Sequence, residues 1–155
     1  MSCYCRDYDI LFTVEGLTGD PDNLETTIKL CFYDQKHFQL EPNGNGGGGG
    51  GAGQATFNDV IVHKQFDQYS PVFAVSVANG QAFPSAVVYF IDRATGDVFY
   101  KVTLREIYFT YFEQLAVDFN DNGLLVEKIK INYEEIEWEW NGISRCWDIS
   151  ENAEC

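Results

Sequence analysis

Residues 46–71 read Gly46-Gly47-Gly48-Gly49-Gly50-Gly51-Ala52-Gly53-Gln54-Ala55-Thr56-Phe57-Asn58-Asp59-Val60-Ile61-Val62-His63-Lys64-Gln65-Phe66-Asp67-Gln68-Tyr69-Ser70-Pro71. A glycine run feeds a short alternating strand and then a helix-start signal. Ordering each glycine costs roughly 1–2 kcal/mol of backbone entropy. Such a loop is expected either to stay mobile or to be held by something outside its own fold. A phosphate-cradling loop needs Lys and then Ser or Thr directly after its last glycine. Here Gln54 and Ala55 follow Gly53, which excludes nucleotide binding.

Beyond the run, Thr56 to Val62 predicts a strand with Phe57 and Ile61 opposed to Val60 and Val62. Ser70 is expected as an N-cap, Pro71 suits the first helical position, and Asn79-Gly80 supplies a left-handed stop. The helix between them is too short to stand alone and must pack on a sheet. Before the run, Tyr8 to Val14 reads as a strand. Another begins at about Glu25, with Ile28, Leu30 and Phe32 on one face and Lys29, Cys31 and Tyr33 on the other. Phe38 and Leu40 extend its apolar face.

Downstream, Ser85 to Ile91 is apolar on both faces, Arg93 to Asp97 makes a hairpin into Val98–Leu104, and Ile107–Phe112 is again apolar on both faces. Two double-faced strands in a chain this small predict subunit contacts. In the last third, Leu125, Ile129, Ile131 and Tyr133 alternate with Val126, Lys128, Lys130 and Asn132. Ile136, Trp138 and Trp140 then alternate with Glu135, Glu137 and Glu139, either a solvated carboxylate face or a charged wall. Cys146 to Ile149 adds a short strand, and residues 150–155 read as a loose tail.

The 155 residues fit one domain, 1–155, and twelve phenylalanines with nine tyrosines favour sheet over helix. A net charge of −14 offers no counter-charge to a nucleic-acid backbone or an anionic membrane, so neither is expected as a partner. No apolar stretch approaches the roughly 20 residues of a membrane span, and no leader pattern opens the chain, which reads as cytoplasmic. Cys3, Cys5, Cys31, Cys146 and Cys155 match no zinc framework. Free thiols are the expectation, with pairing of Cys155 to Cys146, to the N-terminal pair or between subunits left open. His37 and His63 lack an acid or cysteine at ligand spacing, and no catalytic signature is present. No enzyme, cofactor or metal is therefore expected.

Taken in succession, Gly51-Ala52-Gly53, then Val62-His63-Lys64-Gln65-Phe66-Asp67 leading to Ser70-Pro71, the short helix and Asn79-Gly80 resemble the haemolysin-coregulated protein (Hcp) family, the tube subunit of bacterial type VI secretion systems. Leu104–Phe112 is similar to the family's strand ahead of a variable loop, and Ile129 to Trp138 to its final hairpin.

The resemblance implies a mainly β fold, an Hcp-like β-barrel of two sheets with one short α-helix packed alongside. It implies hexameric rings stacked into a hollow tube that carries small effectors, with sheath, spike and effector proteins as partners. It also implies bacterial cytoplasmic synthesis and export without a cleaved signal. On that reading residues 41–55 form an assembly loop, and Gly46, Gly47, Gly48, Gly49, Gly50, Gly51, Ala52, Gly53, Lys64, Phe66 and Asp67 make inter-subunit or inter-ring contacts. Lys29, Asp34, Glu137 and Glu139 are candidates for the lumen; Cys155, which departs from the family pattern, is a candidate for an inter-subunit disulfide in a durable free tube. Two alternatives stay open: a related subunit of a free-standing or extracellular tube, and a monomeric acidic β-domain that binds a ligand.

Overall fold

The computed structural model describes residues 7–18, 27–39, 54–119 and 122–155. The glycine run Gly46–Gly53, Leu40, Cys3 and Cys5 lie outside these residues, and so do the expected contacts assigned to that run. Among the described residues, eleven strands and one helix follow in chain order. They are β1 (Tyr8–Val14), β2 (Ile28–Asp34), β3 (His37–Gln39), β4 (Ala55–Phe57), β5 (Val60–Gln65), α1 (Ser70–Asn79), β6 (Ala82–Asp92), β7 (Val98–Phe119), β8 (Asn122–Asn132), β9 (Glu135–Trp140), β10 (Ile143–Asp148) and β11 (Ala153–Glu154).

Six strands close into an antiparallel barrel in the order β7-β6-β1-β2-β5-β8, with β8 pairing back to β7. Closure leaves no open edge in this part of the sheet. Strands β9, β10 and β11 extend as a wing from the first half of β7, while β3 and β4 form a separate two-stranded sheet. β7 is the spine. Its 22 residues pair with β6 on one side, and on the other with β9 over Tyr100–Arg105 and then with β8 over Tyr108–Phe119.

The core is built from alternate residues of the barrel strands: Ile10, Phe12 and Val14; Ile28 and Leu30; Val60 and Val62; Ala86 and Val88; Val102 and Leu104; Ile129 and Ile131. Two local irregularities explain why the periodicity of β7 misleads. Glu106 adopts φ 50°, and a bulge falls between Phe109 and Tyr111. The bulge inserts one residue, and Glu106 turns the chain through a left-handed backbone while the register to β6 runs on unbroken, so the inward positions run Val102, Leu104, Ile107, Phe109 and Phe112 rather than strictly alternating. Val98–Leu104 and Ile107–Phe112, the latter expected to be apolar on both faces, are parts of one strand with one core face.

The same device corrects β2. A register shift between Leu30 and Phe32 places Cys31 at a bulge, beyond which Tyr33 packs on the core and Phe32 turns out, 41 % exposed. Phe32 therefore does not share a face with Ile28 and Leu30. Phe38, expected to prolong that face, stands exposed in the small β3–β4 sheet. The expected strand Thr56–Val62 divides into β4 and β5 at Asn58 and Asp59.

Helix α1 forms where the Pro71 and Gly80 signals place it, and Gly80 closes it at φ 67° in the left-handed region. Tyr69, not Ser70, is the N-cap, without a side-chain cap bond. Ser70 lies one residue inside and is buried, its hydroxyl accepting the Asp67 N–H at 2.9 Å. Phe73 anchors the helix. It is wholly buried, with ring centroids 5.1 Å from Phe109 and 6.4 Å from Phe12.

Candidate functional site

Lys64 and Glu127 sit directly opposite each other on β5 and β8, at positions that continue the core face of both strands. Both side chains are fully buried. Lys64 Nζ is 2.6 Å from Glu127 Oε2, an ion pair by distance whose angle leaves that oxygen without a directed hydrogen bond. Glu127 Oε1 accepts a hydrogen bond from Gln114 Nε2 at 2.9 Å. The ammonium also donates to Asp67 Oδ1 at 2.8 Å, the Gln65 carbonyl at 3.1 Å and Ser70 Oγ at 3.3 Å, and lies 5.5 Å from the Phe73 ring centroid.

That cluster ties the 64–70 segment to β8, to the β7 partner Gln114 and to the start of the helix. A buried charge is tolerated only when paired and hydrogen-bonded, and here four oxygens surround one ammonium. Lys64, a subunit contact on the resemblance, is enclosed here by its own chain. Phe66 is half-buried and Asp67 exposed on the same segment.

The three glutamates of β9 do not form an unopposed acidic wall. Arg105 on β7 donates to Glu135 Oε2 through Nη1 and to Glu137 Oε1 through Nη2, each at 2.7 Å. The hydrogen bond to Glu137 first, and that to Glu135 second, hold the guanidinium above its ordinary pKa. Lys101 lies 3.6 Å from Glu139. Residues directly opposite on neighbouring strands project to the same side. Lys29, Leu11, Tyr89, Lys101 and Glu139 therefore form one row across β2, β1, β6, β7 and β9. Thr13, Val87, Thr103 and Glu137 form the next. The barrel thus brings Lys29, Glu137 and Glu139 onto one outer face, whereas Asp34 lies further round beside Ile61 and Lys130.

Apolar residues at the two ends of β7 are exposed. At its start, Val98 (45 %) accompanies Trp140 (53 %) and Ile143 (74 %) on the β9–β10 hairpin. Towards its far end stand Leu115 and Leu125, at neighbouring positions of the β7–β8 hairpin. A cleft of about 360 Å³ opens between the small sheet and the wing, lined by His37, Phe57, Trp138, Trp147, Arg145 and Cys146 among others. His37 stacks on Phe57 at 4.6 Å and accepts from Gln35 Nε2 at 2.9 Å, while His63 stacks on Phe32 at 4.6 Å. Among the described residues neither histidine faces a nucleophile, and both rings stack on a neighbouring aromatic ring.

Cys155 is disulfide-bonded to Cys146 of its own chain, with Cα atoms 5.5 Å apart, and Cys31 is also disulfide-bonded. The pairing of β10 with β11 brings the C-terminus back alongside Cys146, with Cys155 N–H donating to the Cys146 carbonyl at 3.3 Å. This corrects the free-thiol expectation for these three cysteines and the inter-subunit role suggested for Cys155. Glu135, Cys146 and Cys155 lie within 4.8 Å of one another, but bridged sulfurs offer no thiolate to a metal. Among the described residues no helix is long and apolar enough to cross a membrane.

The lysine–glutamate cluster was missed in the sequence because Glu127 reads as one more surface acid. Its signal is positional: Glu127 lies in step with Ile129 and Ile131, and Lys64 in step with Val60 and Val62.

The chain is similar in fold to a protein described as a type six secretion system protein, with a TM-score of 0.83 at 17 % identity over 96 % of this chain and 99 % of that one. It is similar also to Hcp1 from Salmonella typhimurium, with a TM-score of 0.79 at 16 % identity over 97 % and 100 %. Hcp1 from Flavobacterium johnsoniae superposes with a TM-score of 0.64 at 15 % identity over 90 % and 98 %. No curated protein matches it by sequence. Residues 12–140 match the model of the family described as "Type VI secretion system effector, Hcp", a stretch that takes in the end of β1, the other five barrel strands and the helix. The chain belongs to the Hcp family of type VI secretion, a family of secreted tube proteins and not of enzymes.

Proposed function

We propose that this protein is the protomer of a hexameric ring whose copies stack into a hollow tube carrying small effectors, exported from a bacterial cytoplasm by a sheath-driven machine. The observation that carries the reading is the family match over residues 12–140, on a barrel with no catalytic constellation among its described residues. The exposed apolar residues at the two ends of β7 suit heterologous contacts, in which one copy's surface meets a different surface on the next. The outer face with Lys29, Glu137 and Glu139 is our candidate for the lumen. Charge pairing there by Lys101 and Arg105 lowers the repulsion that a ring of acidic subunits would otherwise suffer.

Gly46–Gly53, together with Phe66 and Asp67, is proposed to reach the neighbouring ring. Deleting Gly46–Gly51 is expected to leave the circular dichroism spectrum and the ring intact while shortening or abolishing stacks in light scattering. Stacks of unchanged length would remove the loop from the assembly.

A further inference from the structure

The nine-stranded sheet ends in β11, two residues long, which covers part of β10 through the pairs Trp147 with Glu154 and Asp148 with Ala153. Every residue from Glu151 to Cys155 is exposed, so no apolar burial holds this strand. Its other attachments are edge hydrogen bonds and the ion pair of Arg145 with Glu154, whose side chains are 75 % and 49 % exposed. Exposed pairs of that kind contribute little. What fixes the strand is the bond between Cys146 and Cys155, nine residues apart. The same bond borders the aromatic cleft, since Cys146 and Glu154 line it beside Trp138 and Trp147.

We propose that the Cys146–Cys155 disulfide is a thiol–disulfide exchange site acting as a latch: intact, it caps the β10 edge and closes one side of the cleft, and reduced, it releases β11 and opens both. The co-reactant is a small dithiol. Its thiolate attacks the sulfur of exposed Cys155, forming a mixed disulfide and expelling Cys146 as thiolate, which takes up a proton. The second thiol of the reagent then attacks the mixed disulfide, closing the reagent's own disulfide ring and releasing Cys155. Two electrons pass from reagent to protein, one S–S bond is exchanged for another, and two thiols are left on the chain. The released tail leaves a longer stretch of β10 backbone unpaired, a template for strand addition.

Glu135 stands within 4.8 Å of both sulfurs. A carboxylate there disfavours thiolate formation and repels anionic thiols, so an uncharged dithiol is the fitter reagent.

The test uses the full chain, wild type and Cys155→Ser, with and without dithiothreitol. Alkylation and mass spectrometry count the free thiols, carboxypeptidase digestion reads the tail, and tryptophan emission reads the cleft. Loop closure over so short a segment predicts a rise of about a hundredfold in the detached tail on reduction, seen as at least about tenfold faster digestion. The emission of Trp138 and Trp147 should shift while the far-ultraviolet spectrum stays constant. Cys155→Ser should show the open behaviour without reductant, its Cys31 bond intact, which separates this bond from the other. Unchanged digestion and emission once Cys146 and Cys155 are both alkylated would overturn the latch. So would a bond that the dithiol fails to open in the folded chain.

Discussion

Lys64 and Glu127 face each other at 2.6 Å across β5 and β8, both without solvent exposure, where the core would otherwise carry two apolar side chains. Removing one member strands a buried charge. Lys64→Met or Glu127→Leu alone is expected to destabilise the fold by about 3–5 kcal/mol, whereas the double variant should recover most of that loss. Urea unfolding of the three variants measures the coupling, and additive losses would show that the two charges do not act as a pair.

Phe73 is the helix's anchor, enclosed by Phe12, Phe109 and the Lys64 ammonium. Phe73→Ala should cost about 3–5 kcal/mol in the same unfolding experiment. Because α1 docks on the barrel rather than closing it, the strands should survive and local exchange of helix amides should rise. Val75, 59 % exposed on the same helix, is the control, and Val75→Ala should leave stability nearly unchanged.

Barrel and helix were legible because they obey short-range rules. Tyr8–Val14 is a run of strand-forming residues, Pro71 and Gly80 punctuate the helix, and the Arg93–Asp97 turn joins two apolar runs. What escaped was where the alternation slips. At Cys31 and Thr110 one inserted residue reverses the faces, at Glu106 a left-handed backbone does so without a register shift, and nothing in those residue types announces it. Phe32 was therefore expected inside, and Ile107–Phe112 was expected to be apolar on both faces. Charges in the core escaped for a related reason: only knowing that Lys64 and Glu127 are cross-strand partners shows that each satisfies the other. The disulfide of Cys155 depends on the pairing of β10 with β11, which composition does not encode.

His63 is held below its ordinary pKa of 6.5, first by desolvation against the sheet and next by Lys128, with Glu113 opposing. The folded state thus resists protonation more than the unfolded chain does. Its contribution to stability is fully present above pH 6.5 and is lost as pH falls from there through the folded value. His63→Phe, which retains a ring for Phe32 to stack on, should flatten stability in that window. An unchanged slope of unfolding free energy against pH would assign the dependence to other groups.

A chain of net charge −14 assembling through apolar contacts should associate more tightly as salt screens its subunits. The apparent dissociation constant of the oligomer, read by sedimentation at low and high ionic strength, should fall with added salt. Substituting Ile143 by Asp, at a side chain 74 % exposed, should raise it without loss of fold. Insensitivity to that change would place the interface elsewhere on the barrel.

The central claim is that this barrel is a ring subunit, and negative-stain electron microscopy of the purified full chain tests it most directly. Closed rings with six-fold averages and a visible pore, stacking into tubes as concentration rises, are the expected result. A particle that stays a 17.6 kDa monomer at every salt and protein concentration would contradict it.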